Sequence, residues 1–252
     1  MFTEDESPEF INRVLQSLRE KEDIYLPGDH VYDALGARSF TAIVGPIDVG
    51  KATISNEVIQ LDPEIKLVNS TMTRERREGD PSGFRTATEG VTYGEFNNAV
   101  ANANLVNFNV IGQHIYGTYH SGFPGQYNIG PIMSESIPQL DHSGFKRFNV
   151  AYMVVDGETY EQRLLNERTT FPDIPARFAE GQRSIDFARR NLTEGWLRFV
   201  ENLPEPNGVT KAARKIIAMT RGNSSEILLD SKAEQYLDEM SEALHQAARN
   251  VH

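Results

Sequence analysis

The residues best suited to chemistry lie in Gly45-Pro46-Ile47-Asp48-Val49-Gly50-Lys51-Ala52-Thr53. Glycines at 45 and 50 let a backbone curl until successive N–H groups converge on one point, a geometry that suits an anion. Lys51 adds a full positive charge, and a helix beginning beside it adds the partial charge of its N-terminus. The apolar run at 40–44 reads as a buried strand, and residues 54–60 can continue as a helix. Strand, glycine turn and helix form the context a phosphate-binding loop requires; a chance glycine turn is the other reading of this stretch. Gly45, Asp48, Gly50, Lys51, Ala52 and Thr53 are the expected phosphate contacts. The pattern GxxxxGK[ST] fails at one position. Ala52 stands where a hydroxyl would hold Mg²⁺, and the next residue, Thr53, carries the nearest one.

A second candidate is Asn69-Ser70-Thr71-Met72-Thr73-Arg74-Glu75-Arg76-Arg77-Glu78-Gly79-Asp80. A guanidinium offers paired, planar donors, so arginines among hydroxyls can clamp a phosphate. The interleaved Glu75, Glu78 and Asp80 leave a second reading open, a solvated and self-paired charge run.

These groups must be positioned by elements that the chain announces in order. Ser7-Pro8 opens a helix with Ile11, Val14, Leu15 and Leu18 on one face. Residues 26–29, Leu-Pro-Gly-Asp, read as a turn. A strand fits 65–68, and Thr92 to Glu95 reads as a capping box before a short helix. Residues 105–111 alternate as a half-buried strand does, with Asn107 and Asn109 on one face. Residues 148–155 form an apolar strand, and Asp156 can cap a helix carrying Tyr160, Leu164 and Leu165. Trp196 is expected in the core, or packed where the helix before it rejoins the sheet. Val209, Ala212, Ala213, Ile216 and Ile217 share one helical face. Beyond a linker at 221–225, Tyr236, Leu237, Met240, Ala243, Leu244 and Ala247 form one apolar stripe.

Composition narrows the class. The chain has 252 residues, no cysteine and a net charge of −11. Disulfides and thiolate metal sites are therefore impossible, and a general nucleic-acid surface, which favours basic patches, is not expected. No apolar run approaches the roughly 18–20 residues of a bilayer span. The acidic start of the chain is unlike a signal peptide, so a cytoplasmic location is expected.

Three stretches together resemble guanylate kinase and guanylate-kinase-like domains. Gly45-Pro46-x-x-Val49-Gly50-Lys51-x-Thr53 is similar to that family's GPSGVGKST. Ser70-x-x-Thr73-Arg74-x-x-Arg77-x-Gly79-Asp80-x-x-Gly83 is similar to its SxTTRxxRxGExxG. Ile115-Tyr116-Gly117-Thr118 is similar to its YYGT. The resemblance covers residues 39–221 and implies an α/β fold. A P-loop parallel sheet would be flanked by helices, with a small nucleotide-binding insert and an arginine-bearing lid. Residues 1–38 would be an N-terminal helical extension, either packed on the main domain or a partner-binding arm. Residues 222–252 would be a linker and helix.

The activity implied is transfer of the ATP γ-phosphoryl to GMP or a related monophosphate, with Mg²⁺. Gly45 to Thr53 would hold the ATP phosphates, and Asn202 would lie near the adenine. Ser70, Arg74, Arg77, Asp80, Asn107, Tyr116 and Thr118 would hold the acceptor nucleotide. Lys51, Arg168 and Arg177 would be catalytic, with no protein metal ligand assigned. Departures support a rival, a catalytically weakened binding module on the same scaffold. Beyond Ala52, the family's pocket tyrosine has no counterpart, and Asn107 replaces its guanine-facing glutamate. No aspartate can be aligned in 119–147, where Glu135 and Asp141 are only nearby carboxylates. The terminal helices leave room for a protein partner.

Overall fold

A computed structural model of the chain describes residues 6–77, 82–167, 174–223 and 228–249. Ser7 accepts a hydrogen bond from the Phe10 N–H (3.2 Å) and starts α1 (Pro8–Arg19), with proline in the first turn as expected. The turn at Leu26 to Asp29 leads into a helix the sequence did not announce, α2 (Asp29–Leu35), which Gly28 caps. There follow β1 (Ser39–Val44), α3 (Lys51–Leu61), β2 (Ile65–Leu67), β3 (Thr71–Met72), α4 (Tyr93–Ala101), β4 (Leu105–Ile111) and β5 (His114–Tyr119). The chain continues through β6 (Tyr127–Pro131), α5 (Ile137–Asp141), β7 (Arg147–Val154), α6 (Gly157–Glu167) and α7 (Ile174–Arg190). It ends, among the described residues, with β8 (Leu197–Glu201), α8 (Gly208–Arg221) and α9 (Asp230–Arg249). The chain divides into two compact units.

The larger unit comprises Phe40–Lys66, Ile129–Ser134 and Phe148–His252. Its frame is a five-stranded parallel sheet in the order β2-β6-β1-β7-β8, flanked by helices. The expected fold class is therefore present. Every residue of β1 is buried, as a central parallel strand with both faces covered should be. From β1 the chain runs through α3 to β2 on one side of it, and from β6 it crosses to β7 on the other. Such a switch point, at the carboxyl end of a strand, is where α/β sheets bind ligands. Asp156 caps α6 through the Thr159 N–H (2.9 Å), and Tyr160 and Leu164 are buried while Leu165 is exposed.

The apolar stripe of α9 is spent within this unit. Leu237, Met240 and Leu244 are buried, and α9 packs on α6 and α7. Burying each such side chain contributes about 1.5–3 kcal/mol. Trp196 is not core. It is 43% exposed and meets Phe187 of α7 edge-on, ring centroids 6.2 Å apart, just ahead of β8.

The smaller unit comprises Met1–Ser39, Leu67–Asn128 and Glu135–Arg147. Its antiparallel sheet, β3-β5-β4, places Asn107 opposite Thr118 and Asn109 opposite Tyr116. The core on one side joins Val14, Leu15 and Leu18 of α1 to Phe96 and Val100 of α4 and Phe108 of β4. So α1 packs on its own unit, and its apolar face is used there. The alternation in β4 predicts that its opposite face is exposed, yet Asn107 and Asn109 are both buried. The segment around α5 covers them: Gln139 accepts from the Phe108 N–H (2.8 Å) and donates to its carbonyl (3.0 Å).

Candidate functional site

In the larger unit, β1 runs into a loop whose backbone no ordinary residue would favour. Gly45 has φ 147°, Asp48 φ 55° and Gly50 φ 96°. Gly50 is the N-cap of α3 and carries no side chain to bond the first N–H groups of that helix. Those donors are left facing the loop, where an anion can take them. Lys51 folds back and donates from Nζ to the carbonyls of Gly45 (2.5 Å) and Pro46 (2.7 Å). Ala52 and Thr53 are exposed.

Groups from distant elements hold the loop in this shape. Arg163 of α6 donates to the Val49 carbonyl (3.0 Å) and to the Asn202 carbonyl (3.2 Å). The Asn202 amide donates to the same Val49 carbonyl (2.8 Å). Asn202 is 2% exposed, and its Oδ1 has no hydrogen-bond partner. Helix α7 lies against the loop, since a Cβ at Gly181 would come within 3.6 Å of the Pro46 Cβ. Burial pushes the Lys51 ammonium below its ordinary range; Glu180 and Asp48 oppose that, and Arg177 adds to it. Tyr160 is buried in the same neighbourhood, its hydroxyl unbonded. Burial raises that phenol well above its ordinary range, with Asp48, Tyr152 and Glu180 adding to the rise.

In the smaller unit the arginine window forms a cationic patch beside β5. Arg74 is buried and donates to the Glu75 carbonyl (2.8 Å), while Arg77 is exposed. Both act on His114: burial lowers the imidazole's pKa first, and the positive charges of Arg77 and Arg74 lower it further. Arg76 has a different part, bonding Glu89 (2.7 Å) and the Phe84 carbonyl. Tyr93 of α4 enters the same patch. Burial raises its phenol, Thr73 bonds it, Tyr116 lies in its field, and it donates to the Gln113 carbonyl (2.6 Å). Ser70 is half-buried and Thr118 buried.

A buried polar chain runs beneath β4. Asn109 bonds the Glu22 carboxylate, and the Ser136 hydroxyl donates to Asn109 Oδ1. Ser136 has one proton, so it must accept from Asn107 Nδ2, 3.0 Å away. That order fixes the Asn107 amide and leaves its Oδ1 buried without a partner. An unmade bond on a buried oxygen costs about 1–3 kcal/mol, which makes it an open acceptor.

The structure thus brings Gly45, Asp48, Gly50, Lys51, Arg177 and Asn202 to one neighbourhood, with Ala52 and Thr53 at its exposed edge. It brings Arg74, Arg77 and Tyr116 to another. Asp80 and Arg168 lie outside the described residues. Sequence reasoning passed over Arg163, Glu180, Tyr93 and His114. Arg163 lies in the helix that follows Asp156, but nothing in the chain says that its guanidinium reaches back 114 positions to Val49.

No family model matches the chain, and no curated protein matches it in sequence. Among solved structures it is similar to the crystal structure of guanylate kinase from Anaplasma phagocytophilum. The identity is 12% and the TM-score 0.49, over 73% of this chain and 85% of that one.

Proposed function

We propose that the chain is a nucleoside monophosphate kinase, moving the γ-phosphoryl group of ATP to GMP or a related monophosphate. The observation that carries this reading is the loop. A left-handed Gly50 opens an uncapped helix, and Lys51 rests on the Gly45 and Pro46 carbonyls. Those two bonds are the ones a nucleotide's phosphates would replace. Lys51 would then span the β- and γ-phosphates, and Arg177 would face the charge that builds on the transferring group. Arg168 is proposed for the same task. Ser70, Arg74, Arg77 and Tyr116 would hold the acceptor phosphate, with Asp80 and Thr118 beside them. The open Oδ1 of Asn107 would accept from a donor on the base, such as guanine N1–H. Asn202 would meet the adenine with its unbonded Oδ1.

The loop fits a nucleotide carried with Mg²⁺. Lys51 and the α3 N–H groups suit the phosphates, and Asp48 supplies a hard oxygen nearby. When bound, Mg²⁺ would supply neutralisation of the phosphate charge. Little covalent chemistry falls to the protein in such a transfer, because positioning and charge neutralisation carry the step.

The exposed Ala52 favours the second reading, a binding module without turnover. A coupled assay with ATP and each of GMP, AMP, UMP and dTMP, with and without Mg²⁺, separates the two. Turnover that falls by orders of magnitude in Lys51→Ala, with the fold intact by circular dichroism, supports the kinase. Nucleotide binding with no turnover on any monophosphate supports the module and sinks the kinase reading.

A further inference from the structure

Glu180 lies on α7 one residue before Gly181, where the helix backbone comes against Pro46 of the loop. Arg177, Glu180 and Ser184 recur at helical spacing, and Ser184 meets the Tyr152 hydroxyl (3.3 Å) of β7. That spacing places Glu180 on the side of α7 that turns to the loop and sheet. Both Glu180 and Asp48 act electrostatically on Lys51 and on the Tyr160 hydroxyl. Tyr160 is 0% exposed, and its hydroxyl, among those carboxylates, bonds nothing. A stranded donor in this place calls for a ligand oxygen or a metal-bound water.

Two carboxylates beside a phosphate cradle are a contradiction for a bare polyphosphate, because like charges repel at close range. The contradiction disappears when a divalent cation arrives with the nucleotide. Mg²⁺ is commonly held by one or two carboxylates and the substrate's phosphates, keeping several waters. Ala52 offers no hydroxyl for it. We infer that Glu180, with Asp48, makes this loop selective for nucleotide in its divalent-cation complex, Glu180 supplying the oxygen that position 52 lacks. The inference rests on the kinase reading's premise that the loop binds nucleotide, and goes beyond it in assigning Glu180.

The test measures binding, so it does not depend on turnover. ADP is titrated calorimetrically into the full chain in EDTA and again in excess Mg²⁺, for the wild type, Glu180→Gln and Glu180→Asp. In the wild type Mg²⁺ should tighten ADP binding, by a factor in the range of about 5–150 usual for coupled sites. Glu180→Gln should bind metal-free ADP more tightly than the wild type and lose most of that factor. Glu180→Asp, which keeps the charge, should retain it and also guards against a folding defect. If the Mg²⁺ factor is the same in Glu180→Gln as in the wild type, Glu180 is only a counterion to Lys51 and the inference fails alone. If the wild type binds no ADP in either condition, the inference and the kinase reading fall together.

Discussion

Replacing Gly50 by alanine tests the loop most directly. Gly50 has φ 96° and ψ 22°, and a left-handed backbone costs a residue with a Cβ about 1–2 kcal/mol. The added Cβ would also sit 2.3 Å from Asn202 Nδ2, closer than real contacts allow. Asn202 is buried and bonded to the Val49 carbonyl, so moving it strands polar groups at a cost of about 1–3 kcal/mol. The sum is about 2–5 kcal/mol, or roughly thirty- to several-thousand-fold in an equilibrium constant. Urea denaturation reads the part paid globally, and calorimetric titration with ADP and Mg²⁺ reads the part paid by the loop alone. Asn202→Ala removes the collision but not the strained dihedral. The double variant should therefore be less damaged than the sum of the singles, by about 1–3 kcal/mol. A Gly50→Ala protein within about 0.5 kcal/mol of the wild type, with unchanged ADP affinity, would refute the reasoning. Strict additivity in the cycle would refute the contact with Asn202.

Tyr25 donates to the Leu105 carbonyl (2.8 Å) and accepts from the Leu105 N–H (3.0 Å), so Tyr25→Phe strands both and should cost about 1–3 kcal/mol by denaturation. Burial pushes the Tyr25 phenol from 10.0 to about 12, so its contribution is complete below pH 10 and is lost as pH rises through 12. The Phe variant should show a shallower alkaline loss, and an identical pH profile would count against this. Arg74→Ala and Arg77→Ala should weaken GMP, AMP and UMP alike in binding assays, because a phosphate clamp ignores the base; a loss confined to one base would assign them elsewhere. Asn107→Asp, nearly isosteric, charges the open acceptor but removes the Nδ2 donor to Ser136, whose single proton must then turn from Asn109 to the new carboxylate. A bond from guanine N1–H to a charged oxygen is stronger by about 1 kcal/mol, so the ratio of GMP to AMP affinity should rise roughly five-fold. An unchanged ratio would remove Asn107 from the base site.

The phosphate loop was legible from the chain because its parts are contiguous. A buried strand, two glycines, a lysine and a helix start all fall between residues 40 and 60, and local backbone geometry does the rest. The same holds for α1, whose Ser7 cap and apolar face are local signals, and for the stripe of α9. Periodicity reports that a face needs cover, but not what covers it. The alternation in 105–111 correctly put Asn107 and Asn109 on one face, yet that face is sealed by Ser136 and Gln139, about thirty residues away in the chain. β6 escaped notice because Gly130 and Pro131 break every local rule for a strand. It exists because β1 and β2 leave a place between them in the sheet. Arg163 and Glu180 lie at ordinary positions in ordinary helices. They become parts of a site only when the sheet closes, since a guanidinium on α6 and an amide after β8 can meet one carbonyl of the loop by no shorter route.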